Sequence, residues 1–129
     1  LENTIQELAR SISLSIKMKK DISQIWTDSS LEDQNYALNK TKLLPVIIAL
    51  ENESVSYKRM IGEIYFKRVL QKEDLNDLRK ILDELNIREL SSNILDKANS
   101  DAIKIIENEP IIQTKNKSLL LDLIKWIIN

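Results

Sequence analysis

Apolar residues recur at steps of three and four from the start of the chain, at Leu1, Ile5, Leu8, Ile12, Ile16, Ile22, Ile25 and Trp26. That period marks one face of a long helix, with a charge, Lys19, standing where the stripe should continue. Residues 28–39 are polar and read as a surface loop. The block Leu43-Leu44-Pro45-Val46-Ile47-Ile48-Ala49-Leu50 is apolar on all sides, which is the pattern of a buried helix. Pro45 is tolerated in a first helical turn and not in an interior, so that helix begins near it. A further helix is expected from about Ser54 to Leu70, with Val55, Met60, Ile61, Ile64, Tyr65 and Val69 facing inward. Gly62 lies within it at a cost of about 1 kcal/mol relative to Ala, and close approach of another helix is the expected reason.

Three clearer helices follow. Leu75, Leu78, Ile81, Leu82 and Leu85 stripe one from Glu73 to about Asn86. Leu90, Ile94, Leu95, Ala98, Ala102, Ile105 and Ile106 stripe the next, from Ile87 to Asn108, with Pro110 as the stop signal. The last runs from about Lys117 to Ile128 and carries Leu119, Leu120, Leu123, Ile124 and Ile127. With one Gly and two Pro in 129 residues, the turns that all-β folds and Gly-rich nucleotide loops require are hard to build. The pattern predicts an all-α bundle of mostly antiparallel helices, with residues 1–129 forming a single helical unit.

Composition narrows the chemistry. Without cysteine there is no disulfide, thiolate or Cys-ligated zinc, and without histidine there is no Ser-His triad. A metal ion would have to be a hard cation held by carboxylates, such as magnesium. A net charge of -1 argues against a general nucleic-acid binder. Apolar runs such as Leu119-Leu120-Leu121 fall far short of the roughly 20 residues that span a bilayer, and Leu1-Glu2-Asn3-Thr4 has no signal-peptide character, so the chain reads as cytoplasmic. It opens without Met directly into a helical pattern, as expected of part of a longer protein.

One constellation carries a resemblance. Ser11 to Ile25, then a polar loop, then Lys40-Thr41-Lys42-Leu43-Leu44-Pro45 opening an apolar helix, is similar in order and spacing to the C-terminal half of the trans-isoprenyl diphosphate synthases, or polyprenyl synthetases. In that family a helix bears a Gln and then the second Asp-Asp-x-x-Asp motif, and a Gly-Lys-x-Thr-Leu-Pro segment starts the next helix. The break around Asn86-Ile87, the alanines Ala98 and Ala102, and the closing Leu119–Asn129 segment resemble the family's tail.

The resemblance implies the isoprenoid synthase fold, an apolar pocket, and a magnesium-dependent prenyltransferase acting on an allylic isoprenyl diphosphate. It implies a homodimer, or a heteromer with a related subunit or with an N-terminal half that carries the first aspartate motif. The three aspartate positions correspond to Lys20, Asp21 and Gln24, so Asp21 alone remains as a metal ligand. Lys17 stands at the family's Gln, and Lys17, Lys20, Lys40 and Lys42 are the diphosphate-binding candidates, with an ordinary solvated helix face as the competing account of Lys17 and Lys20. Degeneration of the motif is also similar to the ComQ-type enzymes that prenylate a peptide Trp. It equally fits a catalytically silent helical subunit or interaction partner of the same fold, and whether the chain is an enzyme stays open on the sequence.

Overall fold

A computed structural model describes residues 2–26, 43–52, 54–67, 70–109 and 114–128. Among these residues every regular element is a helix: α1 Glu2–Trp26, α2 Leu44–Asn52, α3 Val55–Phe66, α4 Lys72–Glu84, α5 Ile87–Asn108 and α6 Thr114–Ile128. The all-α expectation holds. α1, α2, α4 and α5 begin and end close to where the apolar periods place them, whereas α3 ends at Phe66 and α6 starts at Thr114. The expected loop over residues 28–39, together with Val69 and Pro110, lies outside the described residues. Among the described residues no helix is long and apolar enough to cross a membrane.

Helix ends are set by local chemistry. At the start of α4 the Gln71 carbonyl accepts the N–H groups of Asp74 at 3.0 Å and Leu75 at 3.3 Å. The Asp74 carboxylate reaches back to the Gln71 N–H at 2.7 Å, satisfying a donor that the helix leaves unpaired. Asn86 stops α4 with φ of 59°, a left-handed conformation that Asn tolerates better than most side chains. Its carbonyl then accepts the Leu90 N–H at 3.3 Å, and its side chain donates to Glu89 at 2.9 Å, so the same residue opens α5.

Contacts group the chain into two units, residues 20–92 and residues 1–19 with 93–129. In the 20–92 unit α2, α3 and α4 pack on one another. Their core includes Val46, Ala49, Ile61, Ile64, Leu78 and Leu82, joined by Ile25 and Ile87. Arg79 donates from Nε to the Ile25 carbonyl at 2.5 Å, close to the C-terminus of α1. Trp26 donates its indole N–H to Asp83 at 2.7 Å, and the Arg88 guanidinium lies 5.9 Å from the centre of its ring.

The other unit has a smaller core. Ala102, Ile106, Ile124 and Ile128 are buried together, with Leu8, Ile12, Leu120 and Ile127 packed against them. Ser15 is buried and donates to the Asn99 side chain. Lys19, the charge in the apolar stripe, donates from Nζ to the Ile128 carbonyl at 3.2 Å. A cation there meets the unpaired carbonyls and negative dipole end of α6, which is why the stripe tolerates it.

Several residues expected to face inward do not. Ile5, Ile16, Val55, Met60, Leu90, Leu119 and Leu123 are exposed. In α1 the buried face turns after Ile12 onto Ser15 and Met18, a rotation that a count of apolar residues misses because Ser15 is polar. Gly62 is also corrected: a Cβ placed there would meet nothing within 4 Å, so no close approach among the described residues requires glycine.

Candidate functional site

Of the residues singled out by the resemblance, Asp21 has the clearest role. It is fully buried, and its Oδ2 accepts the Leu44 N–H at 2.8 Å. Leu44 is the first residue of α2, Pro45 carries no N–H, and the N–H groups of Val46 and Ile47 both reach the Leu43 carbonyl at 3.1 Å. The donors that open α2 are thereby accounted for, and a carboxylate is the favourable charge at this end of a helix. Asp21 acts as a cap delivered from α1 to α2. Lys17 is half-buried and Lys20 exposed on α1, while Lys40 and Lys42 lie outside the described residues.

The expectation of magnesium and prenyl-transferase chemistry is corrected at this point. Among the described residues no group of three His, Cys, Asp or Glu side chains comes together in a way that would hold a metal ion. Asp21 accepts from the α2 backbone, and the family terms magnesium, transferase and prenyltransferase find nothing among the described side chains to rest on.

Close to Asp21 the structure brings in Tyr65, which the sequence marked only as an inward-facing residue. The Tyr65 phenol is pushed up to about 12 from 10.0, first by burial and second by the negative charge of Asp21. It therefore stays a protonated donor throughout the physiological range. Beside it a cleft of about 510 Å³ is walled by Val46, Ile47 and Leu50 from α2 and by Ile61, Gly62 and Tyr65 from α3. At the far end of α3, Lys67 pairs with the buried Asp74 carboxylate. That contact, with the Gln71 N–H, holds Asp74 below its usual range and raises Lys67.

In the other unit a second feature emerges along α6. Leu119, Leu123 and Trp126 are exposed by 62%, 50% and 79%. Their i, i+4, i+7 spacing sets them on one side of the helix, while Ile124 and Ile128 face the core. A polar cleft of about 600 Å³ in the same unit brings Glu7, Arg10, Asp101, Lys104 and Glu109 together, with opposite charges interleaved. No family model matches this chain, and neither a curated protein nor a solved structure matches it.

Proposed function

We propose that the chain works as a helical interaction subunit, laying the outer side of α6 into an apolar groove on a partner protein. The observation that carries this reading is the exposed row Leu119, Leu123 and Trp126. Three large apolar side chains at i, i+4 and i+7 are the anchor pattern of helix-in-groove recognition, and tryptophan is among the residues most enriched at the energetic centres of interfaces. Exposed Asp122 and Lys125 beside the row supply the polar rim that such an interface needs. The finer expectation, that the helices follow the isoprenoid synthase arrangement, rests on the resemblance of the Leu43–Leu50 block and the closing helix.

The test is photo-crosslinking from a benzophenone side chain at position 126, in the protein as its own cell makes it. The expected result is a dominant adduct with one other polypeptide, mapped to an apolar groove and lost in Leu123→Asp. Adducts no more frequent than those from a control at exposed Glu107, or confined to the same polypeptide, overturn the reading.

A further inference from the structure

The apolar cleft between α2 and α3 is a feature that the α6 reading does not use. Its size falls within the usual range for small-molecule sites, and those are mostly apolar with few polar groups. Gly62 supplies a second observation. A glycine in a helix interior sacrifices stability, yet a Cβ at this position would meet nothing within 4 Å. No packing among the described residues explains it. What glycine does do is keep one wall of the cleft low, since any larger side chain at position 62 would occupy space at the lining.

The lining also dictates the kind of occupant. Of the six residues named above as its walls, Tyr65 alone has a polar side chain. Its phenol offers a proton to an acceptor, and the buried carboxylate of Asp21 acts on the same phenol. A ligand carboxylate or phosphate brought to Tyr65 would be repelled by that negative charge, whereas a neutral carbonyl would not.

We infer that the α2–α3 cleft binds a neutral, medium-chain aliphatic molecule with one hydrogen-bond acceptor, such as a ketone or ester, whose carbonyl accepts from Tyr65. The hydrocarbon tail lies along Val46, Ile47, Leu50 and Ile61, over the space that Gly62 leaves open. The site excludes the carboxylate of equal chain length.

Ligand-observed NMR with the whole chain, titrated with 2-nonanone and separately with nonanoate, tests this. The expected result is saturable binding of 2-nonanone at least tenfold tighter than nonanoate. Tyr65→Phe should weaken the ketone by roughly two- to tenfold, the range of one neutral hydrogen bond. Gly62→Leu should melt at or above the temperature of the parent chain, because the helix gains propensity and the new side chain meets open space, yet lose ketone binding. Equal binding of ketone and nonanoate, no binding of either, or full binding by Gly62→Leu overturns the inference. A folded Gly62→Leu makes each of those outcomes readable.

Discussion

Two helices of this chain carry runs of large apolar side chains and meet different fates. α2, Leu44–Asn52, buries Pro45, Val46 and Ala49 and exposes Leu50 at its end. α6, Thr114–Ile128, buries only Ile124 and Ile128 among its described side chains and leaves Leu119, Leu123 and Trp126 exposed. The difference comes from what each has to pack on. α2 has α3 and α4 against it, and a carboxylate from α1 caps its first N–H. α6 packs on a narrow strip of α5 and α1 around Ala102 and Ile106, where the small alanine contributes little area. An apolar helix is thus no guarantee of a buried one; the surplus apolar face of α6 is what the proposed partner groove would cover.

The sharpest way to break this comparison is to place the same charge on both helices. Val46→Asp puts an unpaired carboxylate into the 20–92 core and should cost about 3 kcal/mol or more. Leu123→Asp on the open side of α6 should change stability by no more than about 0.5 kcal/mol. The two tryptophans separate the readouts, since Trp26 belongs to the 20–92 unit and Trp126 to the other. Urea unfolding followed by fluorescence, with each Trp replaced in turn by Phe, gives both numbers. Comparable losses from the two substitutions would mean that α6 is covered in the free chain, and the interaction reading would fail with it.

How far this contrast was legible in the sequence depends on which signal each residue carries. The all-round apolarity of Leu43–Leu50 and the placement of Pro45 predicted α2 and its start, because both rest on local properties of the chain, whereas burial on every side is met at Pro45, Val46 and Ala49 and not at Leu50. The α4–α5 break at Asn86 was equally readable. The inward assignments of Leu119 and Leu123 were not, since periodicity identifies an apolar stripe without saying whether anything lies opposite it. Asp21 was visible as a surviving motif position, but its partner is a backbone N–H 23 residues on, and a motif gives no sign of such a partner. Tyr65 became part of the site only once folding brought Asp21 near it. Ser15 and Lys19 were hidden for a related reason: each is polar in an apolar stripe, and each is matched to a distant residue, Asn99 or Ile128.

A smaller effect sharpens the account of the 20–92 unit. The folded chain holds the Tyr65 proton more tightly than the unfolded chain, with the phenol at about 12 against 10.0. The stability linked to this group is complete below pH 10 and is lost as the pH climbs through about 12. At about 1.4 kcal/mol for each tenfold change in proton affinity the full loss is about 2.8 kcal/mol, of which roughly 2 kcal/mol is gone by pH 12. Comparing alkaline unfolding of the parent chain and Tyr65→Phe measures it: the phenylalanine variant should lose less stability between pH 9 and pH 12. Parallel curves would place Tyr65 in contact with water and remove the donor from the apolar cleft.

The smallest effect is also the most specific to how α2 is held. Asp21→Ala removes the acceptor for the Leu44 N–H and should cost about 1–2 kcal/mol, as loss of a helix cap typically does. Asp21→Asn keeps an oxygen in place but removes the charge, so its cost should be smaller, reduced to the carboxylate's interaction with the helix end. Both variants should lower the Tyr65 phenol from about 12, because the carboxylate's charge is one of the two causes of its rise, while burial keeps it above 10.0. Urea unfolding gives the two costs, and ultraviolet titration of the tyrosines gives the shift. If Asp21→Asn proves as costly as Asp21→Ala, the charge and not the hydrogen bond is what α2 requires. If neither variant moves stability, Asp21 is not the cap, and the contrast between a secured α2 and an open α6 loses its physical basis.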